Sequence, residues 1–257
     1  MKMVELGKAL PYLRGQNLLS PRSWRIRVFD ALHRTPTIQL KYKLEVYQLD
    51  PEDMAEFNKL NAMGRAKEAN ALLFVKGALK STTGQKKSHS FVFQFLQLLE
   101  AASAHPYHVA SDTVQIKDTS AAINGIGASV TAASYDYFAT EAPSTNTLYG
   151  IQVGIGTNAP LTADYMLQTK VAHGSAATQL NYNATSVGAT SIVGANVDMT
   201  IIRTFNNGSG ATITLKEIGL VMEFYPGYYY LVAHDAVNQA ILNTEVAIVS
   251  YTMRTTV

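Results

Sequence analysis

The chain of 257 residues contains no cysteine. This absence excludes disulfides, zinc–thiolate sites, iron–sulfur clusters and cysteine nucleophiles together. Long hydrophobic runs are also missing, because the most apolar stretch, residues 91–99, is far shorter than the roughly 20 residues that span a bilayer. The N-terminus lacks the continuous apolar core of a signal peptide. We therefore expect a soluble protein made in the cytoplasm, with no membrane partner.

Charged residues are few, only 16% of the chain, and the two signs are unevenly distributed. Residues 1–87 carry 16 Lys or Arg against 8 Asp or Glu, whereas residues 88–257 carry 5 against 11. Opposite charges of this kind suit head-to-tail contact between copies or docking onto an acidic surface, and a solvated basic face without a partner is the alternative. Nucleic acid is the less favoured partner. The basic residues assigned to docking are Arg25, Arg27, Lys41, Lys43, Lys76, Lys80, Lys86 and Lys87.

The N-terminal part predicts strands followed by a helix. Residues 24–29 and 37–47 alternate apolar and polar side chains, which is typical of half-buried strands, and they can pair as a basic hairpin. Asp50 followed by proline and two acidic residues indicates a helix N-terminus. We expect that helix to continue, with one interruption at Gly64, to about Leu79.

A second helix is predicted from about residue 88 to residue 103. Phe91, Phe95, Leu98 and Leu99 recur at helical spacing, and further apolar residues widen the stripe until little polar face remains. Such a helix is either central to a core or lies between subunits. We assign these four residues to an oligomer interface.

The second half of the chain is rich in Ser, Thr, Ala, Asn and Gly and reads as short strands separated by turns. Residues 197–205 and 211–215 predict a hairpin, with Arg203 as the one exception on the inward face. A change of apolar parity near residues 216–217 predicts a bulge. The closing residues, 245–257, predict a last strand.

These patterns together predict an α+β, mainly β fold. It consists of a C-terminal antiparallel β-sandwich or jelly roll preceded by a β-hairpin and two helices. We divide the chain into a basic docking region, residues 1–87, and a domain of residues 88–257 in which an apolar helix precedes the sandwich.

One glycine motif has the spacing of a dinucleotide-binding loop. Gly154, Gly156 and Ala159 form G-x-G-x-x-A, but Pro160 follows at once and no long helix is predicted after it. A pyrophosphate site needs that helix N-terminus. A strand followed by a tight bend is therefore the favoured interpretation.

Other catalytic and metal motifs are weak. His105, His108 and Asp112 lie close in sequence, yet Pro106 breaks a helical presentation, so a surface helix terminus is favoured over a metal site. No G-x-S-x-G elbow occurs, and paired carboxylates brought together by folding remain open. We predict no catalytic, metal or cofactor-binding residues and no enzyme. The remaining histidines, without a partner at diagnostic spacing, are His33, His89, His173 and His234.

Consecutive tyrosines at Tyr228, Tyr229 and Tyr230 admit two interpretations. Tyrosine rings can stack on sugars, and strand tyrosines also alternate between a core and an interface rim. We assign them to the oligomer interface and keep a carbohydrate- or receptor-binding module as the alternative function.

Residues 88–257 resemble a pattern in virion structural proteins of tailed bacteriophages. The resemblance is carried by "YGIQVGIGTNAPLTADYM", "VDMTIIRTFNNGSGATITLKEIGL", the closing "VAIVSYTMRTTV" and the upstream "SHSFVFQFLQLL". It implies a non-enzymatic tail, baseplate, fibre or capsid-surface subunit that associates with itself and with other virion proteins. The expected location is the virion. Residues 1–87 fall outside the resemblance.

Overall fold

The computed structural model describes residues 37–88, 91–104, 114–126, 138–225 and 227–256, which form three helices and thirteen strands. The helices are α1 (Pro51–Ala62), α2 (Ala66–Lys76) and α3 (Phe93–Ala104). The strands are β1 (Thr37–Gln48), β2 (Ala78–Thr82), β3 (Lys86–Lys87), β4 (Val114–Lys117), β5 (Ile123–Ile126), β6 (Gly150–Gly154), β7 (Asn181–Tyr182), β8 (Ser186–Val187), β9 (Ser191–Val193), β10 (Asn196–Asn206), β11 (Ile213–Tyr225), β12 (Tyr228–Ile241) and β13 (Glu245–Thr256). The predicted α+β, mainly β fold is confirmed.

The strands form two main antiparallel sheets. The large sheet has the order β2-β1-β13-β10-β7, with β3 paired to β1 and with β8 and β9 paired to β10. The small sheet has the order β12-β11-β6, and β4 pairs with β5 separately. Leu44 and Val249 of the large sheet share one hydrophobic core with Ile218 and Val232 of the small sheet. The two sheets therefore pack face to face as a sandwich.

Strand β1 belongs to the same sheet as the C-terminal strand. It pairs with β13 along its whole length, from Thr37 opposite Thr256 to Gln48 opposite Glu245. The predicted partner, residues 24–29, lies outside the described residues. The predicted boundary between residues 87 and 88 therefore runs through a shared sheet and does not separate two cores.

Helices α1 and α2 cover the outer face of the large sheet. The Asp50 carboxylate accepts a hydrogen bond from the Asp53 backbone N–H (2.9 Å), which confirms the predicted N-terminus. The predicted interruption at Gly64 is confirmed, since its φ of +72° separates the two helices. The predicted continuation to Leu79 is wrong. Gly77 is extended, and the chain after it pairs with β1 as strand β2.

The predicted hairpin between residues 197–205 and 211–215 is also wrong. Strand β10 pairs with β13 in the large sheet, while β11 pairs with β12 in the small sheet. Both strands bury one face in the shared core, so strands that stack across a sandwich carry the same alternation as strands that pair. The predicted bulge is confirmed by a register shift between Leu215 and Glu217.

Candidate functional site

Helix α3 faces the core with two of the residues that we assigned to an interface. Phe95 and Leu98 are 7% and 0% exposed and belong to the sandwich core, and Phe91, before the helix, stacks on Phe95 with ring centroids 4.1 Å apart. Leu99 is 37% exposed. Phe95 and Leu98 therefore stabilise the core of the protomer, and the prediction that they form a subunit interface is wrong.

The opposite face of α3 is apolar and exposed. Phe93 and Leu96 are 60% and 61% exposed, and with Leu99 they follow one another at three-residue spacing along the helix. We call Phe93, Leu96 and Leu99 the outer face of α3. The Phe93 backbone N–H donates to the Thr162 carbonyl (2.8 Å), which joins the start of this helix to residues 155–169.

The three consecutive tyrosines point in different directions because side chains alternate along a strand. Tyr230 is fully buried in the core, which corrects its assignment to an interface, and Tyr228 is partly buried against the same core. Tyr229 lies on the outer face of the small sheet, where its ring stacks on that of Tyr149 (centroids 5.9 Å apart, interplanar angle 8°).

A cleft of about 480 Å³ with both polar and apolar lining residues lies beside Tyr229. Gln152 and Lys170 line it, and both are oriented by the Thr147 carbonyl, which accepts from Gln152 Nε2 (2.8 Å) and from Lys170 Nζ (2.9 Å). One aromatic ring beside oriented amide and ammonium groups is an arrangement that can bind a polyhydroxylated ligand.

The predicted docking lysines do not form one cluster. Lys41 of β1 lies opposite Lys87 of β3, while Lys43 is 2.7 Å from Glu45 and Lys76 is 3.9 Å from Asp53. Like charges directly opposite one another destabilise a strand pair. The hydrogen bond and charge of Arg254, together with the charge of Lys41, lower the pKa of Asp198, so the protomer itself supplies Lys41 with an anionic neighbour. Lys80 and Lys86 are exposed on β2 and β3, and Arg25 and Arg27 lie outside the described residues.

A buried carboxylate–histidine–carboxylate cluster joins residues 155–169 to the small sheet. His234 Nδ1 lies 2.7 Å from Asp164 Oδ2, and His234 Nε2 lies 3.1 Å from Glu217 Oε2. Burial lowers the pKa of His234, but the hydrogen bonds and charges of Glu217 and Asp164 outweigh burial, so the pKa is raised overall. We call Asp164, His234 and Glu217 the acid–histidine cluster.

Glu217 also binds the backbone of residues 155–169. Its carboxylate accepts hydrogen bonds from the N–H groups of Gly156 (3.0 Å), Gln168 (2.9 Å) and Thr169 (2.7 Å). Burial raises the pKa of Glu217, yet the hydrogen bonds from His234 and from these three N–H groups lower it overall. With carboxylates at both ring nitrogens, the imidazole has no nitrogen left to take a proton from a nucleophile. These hydrogen bonds instead hold residues 155–169 against the small sheet.

The two glycines of the G-x-G spacing, Gly154 and Gly156, leave room for the Glu217 carboxylate. A Cβ atom at Gly154 would lie 2.6 Å from Glu217 Cγ and 2.7 Å from the Thr169 carbonyl oxygen, and one at Gly156 would lie 2.5 Å from Glu217 Oε1. Side chains at these positions would displace the carboxylate. Strand β6 ends at Gly154, and no helix follows it in the described residues up to 225.

Sequence reasoning missed the acid–histidine cluster because Asp164, Glu217 and His234 are far apart in the chain. Two local signals were available. Glu217 stands at the change of apolar parity in β11, and His234 interrupts the apolar run of β12. His105, His108 and Asp112, the weak metal candidate, lie outside the described residues.

No group of three or more His, Cys, Asp or Glu side chains in the described ranges is placed to hold a metal ion. None of the helices α1 to α3 is long and apolar enough to cross a membrane.

The fold and these sites define a mainly antiparallel β-sandwich protein with an exposed apolar helix face. Comparison of the chain with protein-family models, curated proteins and solved structures finds no match in any of the three. The resemblance to virion proteins therefore stays a prediction.

Proposed function

We propose that this chain is a non-enzymatic structural subunit of a tailed-phage virion that associates with copies of itself. The sequence resemblance over residues 88–257 supports the class of protein. The observation that carries self-association is the outer face of α3, where Phe93 and Leu96 are more than half exposed.

The apolar face costs free energy in a monomer. Helix α3 already buries Phe95 and Leu98 in its own protomer, so the outer face is not needed for the core. Contiguous exposed apolar surface on a folded protein commonly marks an interaction site, and most homo-oligomers bury it around a symmetry axis. A second copy that covers Phe93, Leu96 and Leu99 removes this surface from water.

Docking onto other virion proteins rests on the large sheet. Lys41 and Lys87 lie opposite each other on β1 and β3. Asp198 of the same protomer already interacts with Lys41, so Lys87 and the neighbouring exposed residues Lys80 and Lys86 are the cations available to an acidic partner surface. Such contacts weaken as salt increases.

The experiment that tests self-association replaces Phe93 and Leu96 together by Asp. Both side chains point away from the core, so we expect a folded protein whose sedimentation coefficient falls to that of a monomer. The matched control is Phe74→Asp with Val75→Asp, two exposed apolar residues on α2. Dissociation by the control pair alone, with the α3 variant still assembled, would move the interface to α2.

A carbohydrate-binding module is the second candidate function. The specific observation in its favour is the cleft of about 480 Å³ beside Tyr229, with Gln152 and Lys170 oriented along it. Glycan-array binding that Tyr229→Ala abolishes and Tyr228→Ala preserves supports this function. Equal loss in both variants, or no glycan signal, rejects the cleft as a sugar site.

A further inference from the structure

The inner face of the large sheet continues beyond the buried core at one end. Across β1, β13 and β10, the row of paired residues that borders the core consists of Leu40, Met253 and Met199. The next row outward, which β9 extends and which we call the outer row, consists of Ile38, Thr255, Val197 and Ile192. Its apolar members Ile38, Val197 and Ile192 are 59%, 37% and 83% exposed, so apolar side chains on the core side of the sheet are in contact with water.

An open groove of about 690 Å³ adjoins the outer row. Met199 and Met253 line it from the large sheet, and Leu99 and Phe138, which also line it, are 37% and 41% exposed. The outer row and the groove together form a contiguous apolar surface that is open to solvent, and such surfaces mark interaction sites. Methionine side chains adapt to a partner of irregular shape.

Residues 1–36 join the described part of the chain beside this surface. Strand β1 begins at Thr37, one residue from Ile38, and Thr37 lies opposite Thr256. The groove residue Met253 precedes Thr256 by three residues on β13, a distance of about 10 Å. Residues 30–36 can span up to about 23 Å when extended. Residues that precede position 30 can therefore reach the groove.

Residues 24–29, "WRIRVF", have an apolar face that suits this surface. Trp24, Ile26 and Val28 alternate with Arg25 and Arg27. In an extended segment, the three apolar side chains lie on one face and the two cations lie on the other.

Strand β1 has little free edge for residues 24–29. One edge of β1 pairs with β13 along its whole length. The other edge pairs with β2 and β3, and the Leu40 carbonyl accepts a hydrogen bond from the Ser88 N–H (2.9 Å). The hairpin predicted from the sequence therefore has at most residues 37–39 of that edge left, so the apolar face of residues 24–29 needs another surface.

We propose that residues 24–29 lie on the outer row and the groove of their own protomer, with Trp24, Ile26 and Val28 against the sheet. The short connection of residues 30–36 gives this segment a higher effective concentration at the surface than the same segment of another copy has. The proposal concerns a single protomer and does not rest on the proposed function.

The charges at the groove are compatible with this orientation. The charged residues that line it are one of each sign, Lys67 and Glu141, so the groove does not select an occupant by net charge. Arg25 and Arg27 point to solvent in the proposed arrangement and need no partner there. The competing occupant is residues 127–137, which lead into Phe138 but consist mainly of Gly, Ala, Ser and Thr and so have less apolar area to bury.

The fluorescence of the full-length protein reports on this segment directly, because Trp24 is the one tryptophan of the sequence. We expect an emission maximum at shorter wavelength than that of free tryptophan, and quenching by acrylamide that is several-fold weaker, at every protein concentration. Emission and quenching like those of free tryptophan overturn the proposal and leave the groove to residues 127–137.

A charge in the outer row tests where Trp24 lies. Val197→Asp should shift the emission to longer wavelength and strengthen acrylamide quenching several-fold. Val193→Asp is the matched control and should change neither, because Val193 is 49% exposed on the same hairpin but follows Ile192 on β9 and so lies on the opposite face. Equal shifts in the two variants overturn the placement on the outer row.

The absence of cysteine from the chain permits a second test that introduces no charge. Ile26→Cys combined with Val197→Cys, treated with a short bismaleimide, should give crosslinked monomers on a denaturing gel. Ile26→Cys combined with Val193→Cys is the control and should give none. Failure of the Val197 pair to crosslink overturns the proposal, and crosslinked dimers as the main product overturn docking on the same protomer.

Discussion

Arg203 joins strand β10 to residues 143–151 and to Asn183 through hydrogen bonds inside the sandwich. It is fully buried, and its hydrogen-bond partners in the described part of the chain are all backbone carbonyl oxygens. Burial lowers its pKa to about 10, so the guanidinium stays charged at neutral pH. The accepting carbonyls belong to Pro143, Asn146, Tyr149, Ile151 and Asn183. One side chain thus fixes the segment that leads into β6.

Replacing Arg203 by Met should destabilise the fold by more than about 3 kcal/mol, because several buried carbonyls lose their donor at once. Urea unfolding followed by circular dichroism measures this loss. Arg254→Met, at a partly exposed arginine paired with Asp198 on the outer face, is the control and should cost much less. Equal losses would contradict the role given to Arg203.

The acid–histidine cluster gives stability a defined pH dependence. The folded pKa of His234 is raised above 6.5, so its contribution is complete below that value and is lost as pH rises through the folded pKa. The folded pKa of Glu217 is lowered below 4.5, so its contribution is present above 4.5 and is lost as pH falls through the folded pKa. The two contributions overlap fully between 4.5 and 6.5.

His234→Gln should therefore remove the loss of stability that the unmodified protein shows as pH rises above 6.5. Chemical denaturation across the pH range measures this difference. An unchanged pH profile in the variant would mean that the cluster does not hold a protonated histidine.

At the scale of elements, residues 155–169 form a structural element without regular secondary structure. Glu217 binds three of their backbone N–H groups, and Leu167 packs on Val221 and Leu231 of the small sheet. Because Phe93 at the start of α3 bonds to Thr162, the same segment also positions the outer face of that helix.

A methyl group at Gly154 should loosen this element. Gly154→Ala places a Cβ atom against the Glu217 side chain and the Thr169 carbonyl and should cost about 1–3 kcal/mol. Faster amide exchange at Gly156 and Thr169 is the direct readout. Gly208→Ala is the control, since a Cβ there meets nothing closer than 3.6 Å.

The sequence predicts the positions of helices and strands better than it predicts which strands pair with each other. The alternation of β1, the cap at Asp50 and the bulge near Glu217 depend on neighbouring residues and were predictable. The partner of β1 is about 200 residues away in the chain, and the alternation of β10 fits pairing and stacking equally well. Local pattern carries no information on that choice.

The candidate sites also show a difference between what local sequence predicts and what depends on contacts between distant residues. Helical spacing identified α3 as unusually apolar, but the spacing could not tell which face the sandwich would take. The structure gives Phe95 and Leu98 to the core and leaves Phe93 and Leu96 exposed. The acid–histidine cluster was out of reach, since Asp164, Glu217 and His234 meet only through the pairing of β11 with β12 and the fold of residues 155–169.

At the scale of the whole molecule, the sheets, the helices and the buried polar groups stabilise one protomer, while the outer face of α3 stays apolar and exposed. From this exposed face we expect self-association. Light scattering on the purified, unmodified protein over a concentration series, at low and high salt, measures the mass of the particle in solution. We expect a discrete multiple of the 28.0 kDa protomer mass at micromolar concentration. A mass of 28.0 kDa at every concentration and both salt levels would rule out self-association.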